Sequence, residues 1–76
     1  MNAENLFQEW RTADRAAHAL EQAITRASLD ALSGNGEPPD DELRDRARNL
    51  RHTADDLFHL AMEEMKARAA RLPRRA

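Results

Sequence analysis

The sequence predicts an all-α fold in which two long antiparallel helices form an αα-hairpin. Three observations predict it: helix-forming residues dominate, two long stretches carry apolar residues at alternating spacings of three and four, and one cluster of helix breakers lies between them. Alanine, leucine, glutamate and arginine together make up more than half of the chain. Valine and tyrosine are absent and isoleucine occurs once. Strands favour β-branched and aromatic side chains, so this chain has almost nothing to build them from.

Helix one is expected from about residue 3 to 32. Its apolar stripe is Leu6, Trp10, Ala13, Ala17, Leu20, Ile24, Ala27 and Ala31, an unbroken heptad seam. The break follows at Ser33-Gly34-Asn35-Gly36-Glu37-Pro38-Pro39. Gly34 suits the left-handed residue that closes a helix, and Pro38 or Pro39 suits a first turn, where no amide donor is needed. Asp40, Asp41 and Glu42 then place negative charge at the positive end of the second helix dipole.

Helix two is expected from about residue 40 to 71. Its stripe runs Leu43, Ala47, Leu50, Ala54, Leu57 and then steps to Phe58, Ala61, Met65, Ala69 and Leu72. The step reads as a stutter towards an eleven-residue repeat. Pro73 is expected to stop the helix, and residues 72–76 to form a frayed basic tail. A single continuous helix is the alternative, but it would run through two glycines and two prolines, at a cost of several kcal/mol.

The two apolar arcs are wider than one neighbour can cover. Ala16 and Ala23 widen the first on one side, Phe7 and Leu32 on the other; Phe58, Met62 and Ala69 widen the second. A helix with one partner needs only a narrow seam, whereas a bundle member needs a broad face. The chain is near the lower size limit for an unaided core, and without cysteine it has no disulfide to help. The expectation is therefore a homodimer forming a four-helix bundle. Phe7, Trp10, Phe58, Met62 and Met65 gather at the end away from the turn and form the expected interface, either the dimer core or a docking patch for another protein. Trp10 is expected to be a buried anchor, while Leu29 points away from the seam.

Polar patterns offer weaker candidates. His52, Asp56, His59 and Glu63 follow spacings of four, three and four on helix two, and these residue types ligate zinc and similar ions. Asp14, His18 and Glu21 form a comparable stripe on helix one. Both stripes are read as lying opposite the seam on solvated faces, so no metal or other cofactor is expected. Lys66, Arg68, Arg71, Arg74 and Arg75 form an acid-free basic stretch that could contact phosphates. The formal net charge of −2 and the lack of interleaved aromatic residues point instead to cations placed favourably at a helix C-terminus. The pairs Asp40–Arg44, Glu42–Arg46 and Glu64–Arg68 have the favourable i,i+4 order.

No serine or threonine has a histidine base and an orienting acid at helical spacing, and cysteine is absent, so nucleophilic catalysis has no foothold. The expected function is a non-enzymatic protein–protein interaction or assembly module. The alternatives are a nucleic-acid-binding bundle using the basic C-terminus and a metal-binding protein using the helix-two stripe. The N-terminus shows no secretory pattern, and no stretch is apolar enough for a membrane span, so a cytoplasmic protein is expected.

Overall fold

A computed structural model describes residues 3–72. Two helices, α1 (Ala3–Leu32) and α2 (Asp41–Arg71), pack against each other along their length. At 1.5 Å per residue each is about 45 Å long. Among the described residues there is no strand.

The turn between the helices is built as its glycines and acids require. Gly34 has φ +77°. Its amide donates to the Ala31 carbonyl at 3.1 Å, and the Asn35 amide donates to the Asp30 carbonyl at 2.8 Å. This pair of bonds is the Schellman closure of a helix, which satisfies two carbonyls the helix itself leaves free. A Cβ at position 34 would force an L-residue into the left-handed region. Helix α2 starts one residue later than expected because Asp40 is its N-cap. The Asp40 carboxylate accepts a bond from the Leu43 amide at 2.8 Å, satisfying one of the first free donors. Pro38 and Pro39 therefore lie before the cap rather than in the first turn, and the Arg44 guanidinium donates to the Pro39 carbonyl at 3.2 Å.

The core between the helices is made of small residues. Leu6, Ala17, Ala47, Ala54 and Ala61 are buried, and Ala17, Ala54 and Ala61 have no exposed surface at all. On α2 the buried alanines recur every seven residues, with half-buried Leu50 and Leu57 between them. This corrects the expected stutter: the heptad continues through Ala61, and Phe58 lies beside the seam and is exposed. Small side chains permit close approach of the two backbones, as the alternation of alanine with leucine implied.

Beyond Ala61 the seam on α2 opens. The cross-helix contacts of Trp10 with Phe58 and of Arg51 with Asp14 and Glu21 place α1 residue i level with residue 70 minus i on α2 to within about one turn, so α1 begins opposite the last turns of α2. Met65, Ala69 and Leu72 are accordingly exposed. At the other end Leu29 and Leu32 are exposed, Leu32 to 86%. Leu29 points away from the seam as expected. Leu60, on neither expected stripe, is exposed too.

The result is a single layer of two helices, with a radius of gyration of 18.1 Å against about 11 Å for a compact domain of this length. Each broad side of the layer is a separate surface. One carries Phe7, Trp10, Asp14, Glu21, Arg51 and Phe58, and is called here the aromatic face. The other, the leucine face, carries Ala13 and Ala16 of α1 beside Leu50 and Leu57 of α2 along one groove.

Candidate functional site

The aromatic face has two parts. At the open end the Trp10 ring lies 5.4 Å from Phe58, tilted at 60°, and 6.3 Å from Phe7 in an edge-on arrangement at 80°. Phe58 in turn meets the His59 ring edge-on at 6.3 Å. The expected aromatic gathering is present, but the ring that crosses to Trp10 is Phe58. Trp10 is half-buried rather than fully buried, because one layer of helix covers it from one side only. Phe7 and Met62 are also half-buried, and Phe58 and Met65 are exposed.

Midway along the same face lies an ion cluster that joins the helices. The Arg51 guanidinium grips Glu21 with two bonds, from Nε at 3.1 Å and Nη2 at 2.7 Å, and gives a third from Nη1 to Asp14 at 2.7 Å. The side chains are 34% exposed for Arg51 and 41% for each carboxylate. Asp14 and Glu21 were expected opposite the seam. They flank it instead, roughly 70° from the seam direction at 100° per residue, close enough to reach across. His18 lies further round and is exposed. A forked guanidinium–carboxylate contact fixes orientation as well as adding charge-assisted bonds, so Arg51 helps set the register of α2 against α1.

The Arg51 bonds hold the Glu21 carboxyl below its ordinary value, with partial burial opposing them. The same bonds, to Glu21 first and Asp14 second, raise Arg51 further above its already high value. A depressed carboxyl stabilises the fold above its unfolded-state pKa, and that contribution is lost as pH falls through the folded-state value. The melting temperature should therefore decline on acidification below about pH 4.5, the ordinary glutamate value. Part of this decline should disappear in Arg51→Met. An identical acid dependence in wild type and variant, followed by circular dichroism, would show that the cluster does not contribute. Partial exposure and salt screening keep the effect modest.

The other polar candidates are not assembled into a site. His52, Asp56, His59 and Glu63 are all exposed on the outer side of α2, and Glu63 pairs with Lys66 at 3.7 Å. Among the described residues no group of three or more histidines and carboxylates is placed to hold a metal ion. The basic end is tempered by acids earlier in α2: Lys66 pairs with Glu63, and Arg71 with Glu64 at 3.6 Å. Glu64 thus takes Arg71, two turns away, in place of the expected Arg68. Asp45–Arg48 at 3.3 Å is a further pair within α2. Arg74 and Arg75 lie outside the described residues. A wide hollow of about 1140 Å³ is lined by residues of α1 alone. It is the outer side of one helix and has no second wall. Among the described residues no helix is long and apolar enough to cross a membrane.

Comparison of the chain with protein-family models, curated proteins and solved structures finds no match. The class of protein is thus defined by the fold: an all-α two-helix hairpin, one layer thick, with an inter-helix ion cluster and large apolar side chains on both faces.

Proposed function

We propose that this chain is a non-enzymatic assembly module whose hairpin associates with a second copy to form a four-helix bundle. The observation that carries this reading is the amount of surface left uncovered. The chain exposes 6260 Å², whereas a folded monomer of 8.7 kDa should expose about 4,700 Å². The excess is roughly 1,500 Å² per chain, against about 800 Å² buried per partner in a standard stable interface.

The core points the same way. Among the described residues no large side chain is fully buried, and the buried set is one leucine and alanines. Alanine contributes little to transfer free energy, while completing the burial of a half-buried leucine contributes up to about half of the roughly 1.5–3 kcal/mol for burying one outright. A second layer covering Leu20, Leu43, Leu50 and Leu57 supplies what the hairpin lacks. The nucleic-acid reading is weakened by the pairing of Lys66 and Arg71 with neighbouring glutamates, and the metal reading by the dispersed, outward placement of the histidines.

Sedimentation equilibrium at micromolar concentration should give about twice the 8.7 kDa chain mass. The melting temperature should rise with concentration, since folding and association are then linked. A monomer that melts cooperatively and independently of concentration would overturn the proposal.

A further inference from the structure

Two broad faces are available for a second copy, and they differ in chemistry. The aromatic face holds Arg51, Asp14 and Glu21 at its centre, a trio of net charge −1 whose members retain 34–41% of their side-chain surface. Stacking two copies on this face would desolvate both trios and bring like net charges together about the two-fold axis. Desolvating ion clusters is costly unless every remaining lone pair finds a donor.

The leucine face has no such obstacle along its centre. On α1 it presents Ala13, Ala16, Leu20, Ala23 and Ala27 at spacings of three and four, a second heptad line beside the inter-helix seam. On α2 it presents Leu43, Leu50 and Leu57, one every seven residues. Leu20, Leu43, Leu50 and Leu57 are only half-buried, and Ala16 and Ala23 are exposed. The groove between the helices is bounded here by Ala13, Ala16, Leu50 and Leu57. Asn5, Gln8, Glu9 and Thr12 line the same groove towards its open end, and Asp40, Glu42 and Arg46 surround Leu43 at the turn end, so the polar groups lie towards the two ends of the leucine line. At about 45 Å by 22 Å, the face covers roughly 1,000 Å² in projection, enough for a stable interface.

We infer that a second copy of this chain occupies the leucine face, with α1 of each copy lying against α2 of the other and both turns at the same end of the bundle. This rests on the self-association proposed above and adds its face and topology. The levels within the hairpin decide the pairing. To within about one turn, the cross-helix contacts of Trp10 with Phe58 and of Arg51 with Asp14 and Glu21 set Ala13 level with Leu57, Leu20 with Leu50, and Ala27 with Leu43. A two-fold axis along the bundle preserves these levels, so Leu57 of the second copy meets Ala13 and Leu43 of the second copy meets Ala27. Large then faces small in two of three layers, which fills a core without overpacking. A two-fold axis across the bundle would instead place leucine line on leucine line and alanine line on alanine line, crowding one side and leaving the other gapped. The contact is isologous and closes as a dimer. The aromatic face stays on the outside, with the Arg51 cluster still in contact with water.

Two measurements test this. Ala16 and Ala23 are exposed in the hairpin, so Ala16→Glu/Ala23→Glu leaves the inter-helix core and helix propensity nearly unchanged. Sedimentation of this double variant should give the single-chain mass at concentrations where wild type is dimeric, and Met62→Glu on the aromatic face should keep the dimer mass. The reverse pattern overturns the face assignment while leaving self-association intact. A wild type that is monomeric throughout overturns self-association itself. Because the chain has no cysteine, Asn35→Cys carries one spin label per chain at the turn without touching either face. The label-to-label distance in the dimer should be well below the ~45 Å helix length. A distance near or above that length places the turns at opposite ends and overturns the pairing, whatever the double variant does.

Discussion

Ala54→Leu should lower the melting temperature by several degrees to about twenty. Ala54 has no exposed surface, and neither has Ala17, which lies level with it on α1. The two helices meet there through methyl groups, and a leucine adds three carbons where no space is left. Overpacking of this kind typically costs about 1–3 kcal/mol, in a domain whose total stability is of order 5 kcal/mol. For a chain this short each kcal/mol moves the midpoint by about 4–8 °C. Ala70→Leu, at an exposed position on the same helix, should change stability by no more than about half a kcal/mol. Thermal unfolding by circular dichroism at one fixed concentration compares the two. Equal midpoints for Ala54→Leu and wild type would mean that the alanine seam is not the closest approach of the helices.

The helices, their ends and the turn were legible because each is specified locally. Gly34 closes α1 through the left-handed conformation that glycine adopts freely, and the acids from Asp40 onward start α2 through a side-chain cap. Only the placement of Pro38 and Pro39 differed, since Asp40 outcompetes them as the first residue tied to the helix. The heptad of α1 was legible for the same reason. On α2 the bulk of Phe58 drew the expected seam sideways, although Ala61 stands seven residues beyond Ala54 and continues the existing repeat. In a seam built on alanine, apolar size is a poor guide to burial, and period is the better one.

The ion cluster was not legible in the same way. Arg51 stands 37 residues from Asp14 and 30 from Glu21, so no local spacing connects them. Asp14 and Glu21 were grouped with His18 as one solvated stripe, yet the two carboxylates flank the seam and the histidine does not. The usable signal was positional: two acids seven residues apart beside a heptad seam, with a base at the matching level once the turn fixes the register. The aromatic end was only partly legible. Phe7, Trp10 and Phe58 do gather, but their depth depends on how many layers cover them, and a lone hairpin provides one.

Trp10→Ala should be the most damaging single truncation on the aromatic face. The indole is an inner member of the ring chain Phe7–Trp10–Phe58–His59, 5.4 Å from Phe58 across the hairpin and 6.3 Å from Phe7 along α1. Truncating a fully buried tryptophan costs ~3–5 kcal/mol. Trp10 is half-buried, so the expected cost is about 2–3 kcal/mol, including the aromatic pair contributions of ~0.5–1.5 kcal/mol each. Trp10→Phe should recover most of it, because a smaller ring in the same place still meets Phe58. Fluorescence separates hairpin packing from assembly, since Trp10 is the only tryptophan in the chain. With the second copy on the leucine face, Trp10 keeps its half-open side in the dimer. Its emission should be partly quenched by iodide, and to the same degree above and below the dissociation concentration as long as the hairpin stays folded. Quenching that vanishes on dimerisation would place Trp10 inside the assembly, and with it Phe7, Phe58 and Met62. The aromatic face would then be the interface, in spite of the charge cluster at its centre.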